Sequence, residues 1–70
     1  MHKRLKLKLL RIRLDLNQTE MAKRCKVNRA TYSLIELGKQ AGTANFWLNL
    51  KNEFNLSPNE VWMMQYEGKE

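Results

Sequence analysis

The sequence has very few of the residues from which metal sites, disulfides and covalent active sites are built. Among 70 residues it has one His (His2) and one Cys (Cys25), too few for a zinc ligand set or an internal disulfide. The only Ser residues are Ser33 and Ser57, and no nucleophile has a plausible His partner in the fold. We therefore expect no metal, no cofactor and no enzymatic chemistry.

Long apolar runs are also missing. No run approaches the roughly 18 residues that span a membrane, and the opening residues MHKR lack the apolar stretch of a signal peptide. A hydrophobic content of 43% argues against disorder. At this length one small core is all that fits. We expect a single domain over residues 1–70, in a reducing cytoplasm and without a membrane partner.

The charge is positive and unevenly distributed. The chain carries a formal net charge of +6, but residues 1–40 alone hold eleven basic and three acidic side chains, a net +8. Residues 41–70 hold two basic and four acidic side chains, a net −2. A basic half of this kind indicates a polyanionic partner.

Polar residues that cap helix starts divide the chain. Candidate caps at Asn17, Asn28, Thr43 and Ser57 each precede a run with helical spacing. Three of them also have the flanking apolar pair of a hydrophobic staple: Leu16 with Met21, Val27 with Tyr32, and Leu56 with Val61. This pattern predicts an all-α, compact five-helix bundle with helices near residues 3–15, 18–25, 29–37, 44–54 and 58–66.

The first predicted helix has a competing pattern. Leu5, Leu7 and Leu9 alternate with Lys, as in an edge strand. The alternation stops at Leu10, and no second strand exists to pair with it. We therefore favour a helix that buries Leu7, Leu10 and Leu14, which leaves a second apolar stripe, Leu5, Leu9 and Ile12, at the surface.

Residues 17–38 have the pattern of two short helices joined by a tight turn. Apolar or small residues occur at 21, 22, 25, 27, 32 and 35, and the small Ala22 permits close helix crossing. With Leu16-Asn17-Gln18 before them and Gly38-Lys39 after them, they resemble the helix-turn-helix domains of the Cro and lambda-repressor type. The resemblance continues to Val61-Trp62 and so covers nearly the whole chain.

Two positions depart from the family pattern. The turn position that is often Gly is Lys26, and a left-handed Lys26 would cost on the order of 1 kcal/mol relative to Gly. The usual Ile or Val in the middle of the second motif helix is Tyr32, whose hydroxyl needs a hydrogen-bond partner. Neither change breaks the motif.

The resemblance implies that the second motif helix enters the major groove of DNA. Helical spacing turns Thr31, Tyr32 and Ile35 inward, and the candidate base contacts on the other side are Arg29, Ala30, Ser33 and Leu34. Arg29 is the only strong donor there, and a guanine contact and a phosphate contact are equally plausible roles for it. An alternative for Leu34 and its neighbour Leu37 is contact with another protein.

The resemblance also assigns the flanking polar residues. Candidate phosphate contacts are Gln18, Asn28, Lys39, Gln40 and Thr43. The alternatives are that Gln18 only completes a helix cap and that Lys39 is a solvated charge. In the same family an ion pair commonly joins the positions of Arg11 and Glu36.

The last predicted helix has more apolar side chains than one buried face can hold. Some must be exposed in a monomer, which favours a subunit or partner contact made by Trp62, Met63, Met64 and Tyr66.

Together these features predict a sequence-specific, duplex-DNA-binding transcriptional regulator, a homodimer most similar to a phage-type Cro or small repressor. An antitoxin or restriction-modification control protein would have the same features. An alternative in another class is an antirepressor-like module that binds a second regulator protein through Leu34 and Leu37. A basic amphipathic helix on an anionic membrane is the least favoured, because it would use only residues 3–14.

Overall fold

The computed structural model describes residues 3–67, and all regular secondary structure within this range is α-helical. The five helices are α1 (Leu5–Arg13), α2 (Gln18–Arg24), α3 (Arg29–Glu36), α4 (Ala44–Glu53) and α5 (Pro58–Glu67). The predicted all-α, five-helix class is confirmed, and residues 5–9 are helical. No helix in this part of the chain is long and apolar enough to cross a membrane.

The helix starts are stabilised by the predicted caps. The Asn17 side chain accepts the Glu20 N–H at 2.8 Å, and the Glu20 carboxylate accepts the Asn17 N–H at 2.9 Å. Ser57 and Glu60 form the same reciprocal pair. At α3 and α4 the caps Asn28 and Thr43 accept one N–H each. The starts of α2 and α5 therefore use both partners of a capping box.

Four helices end in the same way, with one residue in the left-handed region. These residues are Asp15, Lys26, Gly38 and Asn55, with φ between 52° and 78°. In each case the next residue donates its N–H to the carbonyl five positions earlier: Leu16 to Arg11, Val27 to Ala22, Lys39 to Leu34, and Leu56 to Lys51. This is the Schellman arrangement, which satisfies carbonyls at the helix end.

Three connections between helices, residues 14–17, 25–28 and 54–57, are four residues long and end in one pattern. A left-handed residue is followed by an apolar residue and then by the cap of the next helix, and the apolar residues Leu16, Val27 and Leu56 pack against the core. One apolar side chain thus fixes the end of one helix and the start of the next. The α3–α4 connection is different, because the exposed Lys39 takes the apolar position and the chain continues to Thr43.

The core draws on every helix. Its buried apolar members are Leu7, Met21, Ala22, Cys25, Tyr32, Ile35, Phe46, Trp47, Leu50, Val61 and Met64. Phe46 and Trp47 pack edge to face with ring centroids 4.8 Å apart. Ala22 of α2 is buried, and α2 and α3 are the pair of helices in most extensive contact.

Two expectations about buried faces need correction. Leu14 is 39% exposed because α1 ends at Arg13 and the chain turns at Asp15, which brings Leu16 to the core instead. Met64, expected on a partner surface, is only 7% exposed, because it shares the inward side of α5 with Val61. Trp62, Met63 and Tyr66 are exposed, as is the stripe of Leu5, Leu9 and Ile12.

The left-handed Lys26 generates a stability prediction. Lys26 is exposed and has φ 61°, so Lys26→Gly removes backbone strain without removing a core contact. We expect its free energy of unfolding to rise by about 0.5–1 kcal/mol. Chemical denaturation followed by circular dichroism measures the change.

The matched control is Lys23→Gly, the same substitution inside α2. It should lower stability by about 0.5–1 kcal/mol, because glycine is a poor helix former. A loss of stability in Lys26→Gly equal to that in Lys23→Gly would show that Lys26 is not strained.

Candidate nucleic-acid interface

The exposed side of α3 carries the predicted base-contacting residues. Arg29 and Ala30, at the start of the helix, are exposed, while Ser33 and Leu34 are half-buried one turn later. Tyr32, Ile35 and Glu36 point inward. Asn28 caps the helix, because its Oδ1 accepts the Thr31 N–H at 2.7 Å. The start of α3 is therefore presented outward on a firmly packed helix.

The Glu36 carboxylate joins three helices. It accepts two N–H groups from Arg11 of α1, at 2.9 and 3.3 Å, and one from the Gln18 side chain of α2, at 3.2 Å. It also accepts the Tyr32 hydroxyl at 2.6 Å. Arg11 donates further to the Leu16 carbonyl at 3.0 Å. The structure thus brings Arg11 and Glu36 together, and the unusual Tyr32 has its hydroxyl partner.

These contacts keep Glu36 ionised although it is buried. Burial alone would raise the pKa of its carboxyl, but the hydrogen bonds from Arg11, Tyr32 and Gln18 outweigh burial and lower it. The pKa of Tyr32 is raised by burial and by its hydrogen bond to Glu36. The pKa of Arg11 is raised mainly by its hydrogen bond to Glu36. The pair is therefore charged throughout the neutral range.

Gln18 and Arg29 lie beside the same surface depression. Its lining also includes Arg11, Asn17 and Thr19. Gln18 is half-buried, and its amide group donates to Glu36, so its position is fixed from the inside. This cleft combines a base-contact candidate with a phosphate-contact candidate on one face.

The α3–α4 loop carries the remaining candidate phosphate contacts. Lys39 and Gln40 are exposed, and Thr43 caps α4 by accepting the Phe46 N–H at 3.1 Å. A groove between the loop and α3 is lined by Thr31, Gln40, Thr43 and neighbouring apolar residues. The predicted phosphate-contact residues thus flank α3 on both sides.

Arg4 is a functional candidate that the sequence did not single out, because there it counts only as one of the basic residues of the first half. Arg4 is 1% exposed, and burial lowers the pKa of its guanidinium. Its side chain donates to five backbone carbonyls, those of Ile35, Gln40, Ala41, Met64 and Gln65. The spacing of Arg4, Leu7 and Arg11, three and then four residues, was the available signal that Arg4 lies on the same face as the buried Leu7.

The described residues contain no candidate metal site. Within residues 3–67 no three His, Cys, Asp or Glu side chains are grouped closely enough to hold an ion. Cys25 is buried in the core, and burial raises the pKa of its thiol to about 12, which makes it a poor nucleophile at neutral pH. His2 lies outside the described residues.

Two short helices in extensive contact, α2 and α3, joined by a tight turn, define a helix-turn-helix domain. A helix-turn-helix family model matches residues 7–61, more than half of the chain. The chain belongs to the Cro/lambda-repressor-type helix-turn-helix family, whose members are DNA-binding regulators and not enzymes. No curated protein and no solved structure gives a significant match.

The Glu36 contacts generate a stability prediction. Glu36→Ala leaves the largely buried Arg11 guanidinium without its carboxylate, so we expect a loss of about 3–5 kcal/mol in the free energy of unfolding. The control is Glu53→Ala, which removes an exposed ion pair with Arg24 and should cost at most about 1 kcal/mol. Chemical denaturation measures both.

Two further measurements examine the same pair. The losses from Arg11→Ala and Glu36→Ala should be less than additive in the double variant. The pKa of Glu36 is lower in the folded state than its ordinary value of 4.5. The contribution of ionised Glu36 to the free energy of unfolding is therefore complete above about pH 4.5 and is lost as the pH falls through the folded-state pKa. Equal losses of free energy of unfolding for Glu36→Ala and Glu53→Ala would contradict the predicted role of the Arg11–Glu36 pair in stability.

Proposed function

We propose that this chain binds an operator in duplex DNA as a homodimer and represses transcription by excluding RNA polymerase, in the manner of a phage-type Cro or small repressor. The observation that carries the proposal is the outward start of α3, with Arg29 and Ala30 exposed between two groups of polar residues. Gln18 lies on one side and the loop with Lys39 and Gln40 on the other. This arrangement suits a helix in the major groove with phosphates on both flanks.

Arg29 is the proposed source of direct base recognition. As the first residue of α3 it is exposed, and its guanidinium can donate two hydrogen bonds to O6 and N7 of guanine. Ala30 and Leu34 would pack on thymine methyl groups, and Ser33 can bond either a donor or an acceptor. Asn28 and Thr43, whose oxygens serve as caps, would reach phosphates through their remaining donors.

The charge distribution supports binding to a polyanion. Nine of the eleven basic residues in the first forty are exposed; the other two are Arg4 and Arg11. Two exposed members, Lys6 and Arg24, also form surface ion pairs with Glu67 and Glu53. Exposed basic side chains attract DNA over roughly the Debye length, about 8–10 Å at physiological salt.

The proposed dimer contact lies on α5. It does not include Met64, because that side chain is buried. Trp62 and Tyr66 stack with ring centroids 5.0 Å apart, and both are about half exposed. Met63 lines a groove between α5 and α1 that also includes Leu9, so the apolar surface continues onto the neighbouring helix. Exposed aromatic and Met side chains of this kind are enriched at subunit contacts.

A second candidate function rests on Leu37. It is 37% exposed at the end of α3, beside the half-buried Leu34. A protein that uses this apolar end of the recognition helix to bind another regulator would keep the fold and lack specific DNA binding. Salt-dependent binding to duplex DNA distinguishes this function from DNA binding.

The DNA-binding proposal predicts a specific phenotype for Arg29→Ala. The wild-type affinity for random duplexes should fall linearly on a log–log plot against salt, because phosphate contacts release counterions. Arg29→Ala should relax the preference at one base pair of a selected site and cost about 1–3 kcal/mol there. Binding titrations on selected and random duplexes at several salt concentrations measure both quantities.

The control for Arg29→Ala is Arg24→Ala, which removes an exposed positive charge on α2. It should leave base preference unchanged. If Arg29→Ala weakens binding to all DNA sequences equally, Arg29 contacts phosphate and not a base. If the wild type shows no salt-dependent binding and instead associates with another regulator, the second function replaces the first.

The dimer proposal predicts the effect of charging α5. Trp62→Lys combined with Met63→Lys should leave circular dichroism unchanged, because both side chains are exposed. The variant should lose self-association and lose operator binding far more than random-sequence binding, since a palindromic site requires two recognition helices about 34 Å apart. Sedimentation and binding titrations measure these effects.

Leu48→Lys is the matched control, because Leu48 is an equally exposed apolar residue on α4. It should dimerise and bind as the wild type does. A wild-type protein that stays monomeric on its selected DNA site would contradict the dimer model.

A further inference from the structure

We infer that Arg4 is a positioning residue for DNA binding, which holds the α3–α4 loop, residues 38–42, in place beside α3. The inference rests on the proposed function, because it takes Lys39 and Gln40 of this loop to contact phosphate. It concerns a residue that lies outside the helix-turn-helix and outside the span of the family match, residues 7–61.

The loop lacks the apolar anchor that fixes the other three connections. In those connections Leu16, Val27 or Leu56 packs on the core directly after the left-handed residue. Here Lys39 takes that position and is exposed. The backbone bonds from Lys39 and Gln40 to the Leu34 carbonyl fix only the first turn of the loop. The remainder needs another attachment.

Arg4 supplies that attachment through backbone carbonyls. Its Nη1 donates to the Gln40 carbonyl at 2.7 Å, and its Nη2 donates to the Ala41 carbonyl at 3.4 Å. The Ala41 carbonyl also accepts the Trp47 indole N–H at 3.0 Å, and the Arg4 guanidinium lies 5.3 Å from the centroid of the same indole ring. Arg4 and Trp47 thus hold the middle of the loop together.

The same guanidinium is fixed to α3 and α5. Its Nη1 donates to the Ile35 carbonyl at 2.6 Å, and its Nε donates to the Met64 carbonyl at 3.1 Å. The backbone N–H of Arg4 donates to the Glu36 carbonyl at 2.9 Å. Because one side chain contacts the end of α3 and the loop, it sets the distance between the base-contacting helix and the proposed phosphate contacts.

The chemistry of this site requires arginine. A guanidinium has five N–H donors in a planar fork, whereas an ammonium is a compact point charge on a flexible stem. Arg4 is absent from the ion pairs formed within residues 3–67, so its contacts depend on hydrogen-bond directions more than on charge. Lysine keeps the charge and cannot reach carbonyls on α3, the loop and α5 at once.

Close packing leaves the loop little freedom while these contacts hold. Gly42 has φ +80°, and a Cβ at this position would lie 2.9 Å from Trp47 Nε1. The loop backbone therefore lies directly against the indole. The indole N–H of Trp47 consequently reports on the position of the loop.

The first experiment uses nuclear magnetic resonance to compare indole N–H exchange in the otherwise wild-type protein and in Arg4→Lys. Both proteins carry Lys26→Gly to offset the expected loss of stability. The Trp47 signal should exchange about tenfold faster in Arg4→Lys, as expected when one buried hydrogen bond is weakened. The exposed Trp62 indole is an internal control and should not change.

The second experiment measures the salt dependence of binding to random duplexes. Lys39→Ala should reduce the log–log slope by about one in the wild type, as for one lost phosphate contact. In the Arg4→Lys background the same substitution should change the slope little, because Lys39 is no longer held beside the phosphate. Val61→Ala, which loosens α5 without altering a side chain at the loop, should leave the effect of Lys39→Ala intact.

Several outcomes would overturn the inference. One is unchanged Trp47 exchange in Arg4→Lys; another is an equal effect of Lys39→Ala in both backgrounds. Complete unfolding of Arg4→Lys despite Lys26→Gly would show that Arg4 serves the whole core and not the loop. If the wild type shows no salt-dependent DNA binding, the proposed function fails, while indole exchange still decides whether Arg4 holds the loop.

Discussion

The placement of the two motif helices depends on one buried carboxylate. Glu36 lies at the end of α3 and accepts hydrogen bonds from α1, α2 and its own helix. A buried carboxylate is costly unless its acceptor sites are satisfied, and here four donor groups satisfy them. Since Arg11 and Gln18 are among the donors, the relative positions of α1, α2 and α3 are constrained together. The presentation of Arg29 beside Gln18 follows from that constraint.

Local chemistry explains why the helices were predictable from sequence. Caps such as Asn17 and Ser57 act within three residues of their own position, and staple residues such as Leu16 act within five. The left-handed residues at the helix ends also act locally, and Lys26 adopts the conformation that its turn position implied. These signals are visible without knowledge of the tertiary fold. The family resemblance then predicted that α2 and α3 are arranged as a helix-turn-helix.

The incorrect predictions concern side chains whose burial is set by tertiary contacts. Leu14 was expected in the core from spacing alone, but the early end of α1 exposes it. Met63 and Met64 are adjacent residues of the same type, and only the packing of α5 determines that Met64 is buried and Met63 is exposed. The spacing of Arg4 from Leu7 suggests a shared face, but it does not reveal the acceptors of Arg4, which are backbone carbonyls up to 61 positions away. The nucleic-acid contacts themselves remain predictions, since exposure does not identify a ligand.

The long reach of Arg4 also bears on the order in which the molecule folds. The three short connections and their caps need only neighbours in sequence, so α1, α2 and α3 can assemble through short loop closures. Arg4 must close a loop of 60 residues to reach the Met64 carbonyl. We therefore expect its contacts to form late in folding and to open early. The loop that follows the recognition helix and the end of α5 would then share one low-energy opening event, separate from global unfolding.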